Sequence, residues 1–473
     1  MTRRAWPPRW ARGFIATLRR DMAKNTFWIV ASSVVNMSLG IVVTALTARY
    51  FGPTEFGRFN YALALVVLFT AFSTLGLETL TVRSLVTRDH AQSVVMGTSL
   101  ILRLCGGLVL TGISLGTVIV LEPTDRGIWV LVSLLSLMMV LRASDVIDYW
   151  FQARLKSKIA GLIRIGSYAI ASALKVLVIV ADGSIYQFAA VYSIDAAIVG
   201  VAFAIVFRHL NRGDSRWKWD RSYAKDVLAQ SWFIMLSGFM GTVYLRVDQV
   251  MLGTMESDKA SLGVFAAAVA LATMWYFIPA ALISSVNPGI MRASRENKAL
   301  YMSRVQDLYT MVAWMALGFC IFLAISADVI VQLVYGSAYG EAADILRVSV
   351  FAGVFAMLGS ARAAWLICEG LQRYAVVYST GGAAINVLLN LYLIPIMGGY
   401  GAALATVAAQ ATSVLLIPML FRETRISTHM MLRALDIRRA HQLGLRFMSP
   451  RRARPLGAAT ESHGLETGQV DET

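Results

Sequence analysis

Seven basic side chains lie within long apolar stretches of this 473-residue sequence: Arg103, Arg142, Arg164, Lys175, Arg246, Arg347 and Arg362. Asp145, Asp148, Asp195 and Asp248 share those stretches. A charge at the centre of a helix in lipid costs about 2.5–3.5 kcal/mol on insertion scales, and less near an interface. Groups that costly are expected to hold an anion, a coupling ion or one another. Arg164 and Arg347 fall close to the ends of their stretches, where a long stem can carry the guanidinium out to the interface. Arg103 and Lys175 lie deeper, and Arg362 is intermediate.

Spacing sorts these charges further. Arg142, Asp145, Asp148 and Gln152 occupy an arc of about 120° if they share one helix. Arg142 and Asp145, three apart, can form an internal salt bridge or a gate. The stretch YLRVDQVMLG, residues 244–253, is the sharper case. Arg246 and Asp248 are separated by about 200° on a helix and do not face each other. Asp248 has one methylene to reach with, so a buried partner is expected for it. Basic groups outnumber acidic ones, which favours an anionic ligand. Arg103, Lys175, Arg246 and Arg362 are the expected wall of a cationic cavity. Asp195 and Asp248 would balance that charge or carry a coupling ion.

Helices must position these groups. The chain is 57% hydrophobic and 15% charged, with a mean hydropathy of +0.62; a soluble protein carries about 25% charged residues. Apolar runs recur from Thr26 to Leu420, each long enough to cross a hydrocarbon core of about 30 Å. Backbone polar groups must be satisfied in lipid, so the runs are helices. The expected fold is an all-α polytopic membrane protein of about twelve transmembrane helices in two six-helix lobes, 26–207 and 227–421. A polar linker, 208–226, divides them. Residues 1–25 form a basic interfacial segment, without the cleavage site of a signal peptide. Residues 422–473 are a tail, basic and then polar and disordered at its end.

Loop charges orient the bundle. The N-terminus, the even-numbered loops and the tail hold 32 of the 43 basic residues. The opposite loops hold only Arg49, Arg58, Arg126 and Lys259. The bias places both termini in the cytoplasm. It also accounts for most of the net charge of +15, which argues against nucleic acid as a partner. Cys105, Cys320 and Cys368 are isolated, with neither metal-ligand nor disulfide spacing, and are expected to act as small buried hydrophobes. No nucleotide-binding loop, nucleophile elbow or zinc motif is present, so neither a cofactor, a metal nor ATP hydrolysis is expected.

The halves resemble each other weakly. GRFNYALALVVLF at Gly57 aligns with GVFAAAVALATMW at Gly263, and the spans holding Lys175 and Asp195 overlay those holding Asn390 and Gln410. Six spans per half give parallel repeats about an axis along the membrane normal, with the site between them.

RYFGPTEFGRFNYALALVVLFTAFSTLGLETLTVR resembles the opening signature of the Wzx-type polysaccharide translocases of bacteria. YLRVDQVMLG is similar to the start of their second half, and ADVIVQLVYGSAYGEAADILRV to the loop entering their tenth span. The similarity runs from about Thr26 to Arg422. The resemblance implies a V-shaped bundle related to MATE exporters and lipid II flippases. It implies a flippase, not an enzyme, for repeat units of O-antigen, exopolysaccharide or capsule on a polyprenyl-pyrophosphate carrier. It places the protein in the cell inner membrane, beside membrane lipids and the polysaccharide polymerase or chain-length machinery, with H+ or Na+ as the coupling ion. Two alternatives stay open. A MATE-like exporter of organic cations would want an acidic, aromatic cleft. A membrane-embedded polymerase or ligase would carry large external loops with functional Arg or His.

Overall fold

The computed structural model describes residues 9–211, 216–439 and 441, with side chains from Leu39 onward except at 233 and 237. Every regular element among them is helical. The first half comprises α1 (Arg9–Ser73), α2 (Leu77–Thr87), α3 (Gln92–Leu121), α4 (Arg126–Leu141), α5 (Val146–Ala153), α6 (Ser157–Val180) and α7 (Ile185–Leu210). A single 3-10 turn, Arg142–Asp145, joins α4 to α5. The second half comprises α8 (Arg221–Met255), α9 (Lys259–Thr273), α10 (Phe277–Glu296), α11 (Lys298–Ile325), α12 (Ala327–Val334), α13 (Ala342–Ser349), α14 (Ala352–Cys368), α15 (Arg373–Ala411), α16 (Ile417–Leu420) and α17 (Arg422–Ala434). Residues 1–8 and 442–473, the far ends of the expected basic segment and tail, lie outside the described residues.

Nine helical stretches among the described residues are long and apolar enough to cross a membrane, or ten if the bent pair Arg221–Trp232 and Ile234–Met255 is one span. This is a multi-span membrane protein. Two of the stretches, Leu39–Thr87 and Arg373–Leu420, contain 49 and 48 residues. Straight, each would run about 70 Å, more than twice the bilayer core. Both are interrupted by a glycine in the left-handed region, Gly52 at φ 72° and Gly398 at φ 53°, which residues with a Cβ rarely adopt. Reading each stretch as two, joined at its glycine, gives eleven among the described residues, or the expected twelve if the bent pair is also one span.

One helix ending of the first half has a counterpart in the second. At Leu155 (φ 57°) and Gly370 (φ 70°), both left-handed, two helices end in the same way. Arg154, Leu155 and Lys156 donate to the carbonyls of Trp150, Gln152 and Phe151. Glu369, Gly370 and Leu371 donate to those of Trp365, Ile367 and Leu366. The bonds match one for one at a constant offset, as two copies of a left-handed helix ending. Trp150 and Trp365, equivalent at that offset, are both buried with an indole N–H that has no partner among the described residues.

The halves meet at backbone distance where α1 crosses α9. A Cβ on Gly57 would overlap the Lys259 carbonyl oxygen, and one on Gly263 would overlap that of Pro53. The contact is reciprocal, since Pro53 and Lys259 each stand one turn before the glycine of their own helix. Tyr61 and Thr254 hydroxyls meet at 3.1 Å beside it. Lys259 pairs with Glu122 at 2.6 Å, and Arg49 donates to the carbonyls of Leu333 and Val334 at the end of α12. The buried Tyr339 hydroxyl donates to the Ala48 carbonyl at 2.8 Å. Burial pushes that phenol well above its ordinary pKa, so it remains a donor throughout the physiological range.

Toward the other end, the start of α8 is fastened to the first half. The Lys218 N–H donates to the Ser93 carbonyl at 3.0 Å, and that of Asp220 to the Thr98 hydroxyl at 3.0 Å. Tyr223 and Val227 form one apolar cluster with Leu77 and Val95. The helix therefore begins inside the expected linker 208–226, and its first turns pack on the lobe that precedes them.

Candidate functional site

In the first half the charges form a chain. Arg103, 3% exposed, donates to the Arg142 carbonyl at 2.7 Å and pairs with Asp145 at 3.3 Å. Arg164 bridges Asp145 at 3.0 Å and Asp148 at 2.7 Å. The expected pairing of Arg142 with Asp145 is replaced by these bonds. Its physical cause is the 3-10 turn at 142–145. Such a turn advances about 120° per residue rather than 100°, which swings Asp145 toward α3 and α6. Arg142 is exposed and has no ion pair among the described residues. It lines a cavity of about 260 Å³ together with Asp145, Arg164, Tyr168 and Asp195. Arg103, expected on a cavity wall, is instead a buried member of this network.

Lys175 is 9% exposed and forms no salt bridge among the described residues. Its ammonium sits 3.7 Å from the Tyr192 ring centroid and 5.7 Å from that of Phe188, an arrangement stabilised by the ring quadrupoles. Asp195 lies outside ion-pair distance and accepts from the Ser167 hydroxyl at 2.5 Å.

Arg246 and Asp248 point apart, as their spacing requires. Arg246 donates to Gln249 at 3.1 Å and has no carboxylate partner among the described residues. Asp248, 7% exposed, faces α15. Its two oxygens accept from Asn390 Nδ2 and from the Thr406 hydroxyl, each at 2.6 Å. Asn390 also donates to Asn386 Oδ1 at 3.3 Å, while its own Oδ1 is buried without a partner. No cation lies within ion-pair distance of Asp248 among the described residues. Asn386, Asn390 and Thr406 escaped the sequence reading of this site. Their signal was two amides one turn apart in an otherwise apolar helix.

Arg362 departs from expectation. It is 2% exposed and spends its donors on the C-terminal helix α17: Ser427 at 3.2 Å, Thr428 at 3.1 Å and the Met431 sulfur at 3.0 Å. The basic start of the expected tail is therefore a helix docked on the bundle. Arg362 thus fastens α17 to the bundle. Arg347 is held by Asp328 and Asp344. Of the cysteines, only Cys320 is buried; Cys105 is exposed and Cys368 half-buried, and all three are free.

Known proteins match this architecture. The lipid II flippase MurJ in an inward closed conformation is similar with a TM-score of 0.64 at 15% identity, covering 89% of this chain and 92% of MurJ. An inward-facing multidrug resistance MATE family transporter of the MOP superfamily gives 0.57 at 15%, covering 88% and 96%. The eukaryotic MATE transporter AtDTX14 gives 0.53 at 13%, covering 87% and 99%. At these identities the likeness is one of fold. No curated protein sequence matches the chain. The family model described as polysaccharide biosynthesis protein matches residues 22–294, more than half of the sequence. The chain belongs to that polysaccharide biosynthesis protein family.

Proposed function

We propose that the protein is a flippase of the bacterial inner membrane. It would carry polyprenyl-pyrophosphate-linked oligosaccharide repeat units to the outer leaflet for O-antigen, exopolysaccharide or capsule assembly. The observation that carries this reading is a pair of cations, one from each half. Among the described residues neither Lys175 nor Arg246 has a carboxylate within ion-pair distance, and the Lys175 ammonium lies against the Tyr192 ring. Pyrophosphate offers clustered acceptor oxygens suited to such donors. The polyprenyl tail stays in lipid while the headgroup crosses between the halves. Arg142 adds a third unpaired cation along the first half, and the family assignment supplies the polysaccharide context. Both termini are cytoplasmic in this scheme, and the lobes 26–207 and 227–421 rock about the site.

The buried Asp248 supports ion coupling. A carboxylate ringed by Asn386, Asn390 and Thr406 is a neutral-partnered acid, so a proton or a monovalent cation can complete it. Amide and hydroxyl oxygens favour Na+ over a transition metal. Asp195, near Lys175, balances the cavity charge. A MATE-like drug exporter is disfavoured because Lys175 and Arg246 are cationic.

The test is surface polysaccharide, normalised to membrane abundance, in a strain lacking its native copy. Each lost charge-assisted bond costs about 1.5–3 kcal/mol, or roughly tenfold to a hundredfold in binding. Lys175→Gln and Arg246→Gln should therefore cut export at unchanged abundance, and Arg246→Lys should keep part of it. Normal export from the double Gln variant would overturn the proposal.

A further inference from the structure

The face that α17 turns away from the protein has no partner among the described residues. Arg362 fixes which face that is, by bonding Ser427, Thr428 and Met431. The Tyr309 hydroxyl meets that of Ser427 at 2.9 Å, and the Gln306 amide donates to the Met430 carbonyl at 2.9 Å. The buried face is thus rich in hydroxyls: Thr424, Ser427 and Thr428 are fully buried. Arg422, Arg425, His429 and Arg433 are exposed on the opposite side. At 100° per residue they fall within an arc of about 80°. Ile426, 49% exposed, and Leu432, 41% exposed, flank the stripe. Glu423 is one step off it, and Asp436 lies beyond the helix end, accepting from the Arg438 N–H.

A helix that buries hydroxyls and shows isoleucine, leucine and arginine is inverted for water and suited to a bilayer surface. It follows α16 after the single residue Phe421, and Arg425 ties back to the Met419 carbonyl at 3.1 Å. Leu416 and Leu420 on the preceding span are 58% and 75% exposed, so the apolar surface continues from the span onto α17. We infer that α17 is a lipid-recognition helix whose basic stripe binds the phosphate headgroups of anionic phospholipids, with Ile426 and Leu432 seated among the acyl chains. The inference rests on no property of the glycan site and shares only the membrane setting with the proposed function.

The experiment titrates phosphatidylglycerol, against phosphatidylcholine as control, into detergent micelles holding the full-length protein, with bound lipid read by native mass spectrometry. A basic residue at an anionic surface is worth roughly fivefold in affinity, so R422Q/R425Q/R433Q should weaken phosphatidylglycerol binding about a hundredfold. Phosphatidylcholine binding should not change. A second measurement keeps the wild-type fold intact: raising salt to about 1 M, where the screening length is about 3 Å, should erase the preference for phosphatidylglycerol. A preference that survives both salt and substitution would overturn the inference. Loss of the preference with normal glycan export would uphold it even though the two activities are separate.

Discussion

At the scale of single residues, burial separates charges that hold the fold from charges free to hold a ligand. Arg103 belongs to the first kind, since its removal would strand Asp145 beside a single remaining partner, Arg164. Breaking a buried pair from one side costs about 3 kcal/mol. Arg103→Gln should therefore lower the thermal midpoint and the membrane abundance together. Arg142→Gln should leave the midpoint in place and reduce export only, as both measurements on one preparation would show. Asp248 was legible in the sequence, because one methylene cannot snorkel and so a buried partner had to exist. Arg103 and Arg362 were not, because their partners lie 42 and 65 or more residues away. One partner is set by a 3-10 turn and the other by a docked helix.

At the scale of elements, the crossing of α1 and α9 depends on two hydrogen atoms in place of two side chains. Gly57→Val or Gly263→Val would put methyl groups where a backbone carbonyl now lies, and backbone has nowhere to yield. The variants should fold yet leave the crossing ajar. A cysteine placed at Thr254, next to the contact, should then react faster with a membrane-impermeant maleimide than in the parent protein. Equal reactivity would show that the crossing is not a closure. The repeat alignment had already brought Gly57 and Gly263 into register, but from sequence alone they were equivalents rather than neighbours. Only a two-fold arrangement makes equivalents touch. The ion pair of Lys259 with Glu122 was hidden because the two residues are 137 apart in sequence.

At the scale of the whole molecule, orientation follows from loop charge, and a topology map tests it. Reporter fusions at Gly183 and Gly398 should register outside, and those at Lys158 and Arg373 inside; agreement at fewer than three would reject the proposed orientation. Helical class and span-rich architecture were legible, because hydropathy acts over tens of residues. The two glycine breaks were not, because each depends on one backbone angle. The crossing of Gly57 and Gly263 also carries an electrical consequence. A seal at that crossing would, in the proposed cycle, place the drop of membrane potential across a thin layer, because backbone contact leaves no room for a file of water. In the proposed cycle, parting the crossing relocates the drop to the opposite end. Lys175 and Arg246 would then change potential without travelling, at about 2.3 kcal/mol per charge per 100 mV. A bound pyrophosphate cancels those charges. A membrane negative inside would therefore act chiefly on the empty carrier and return it toward the cytoplasm.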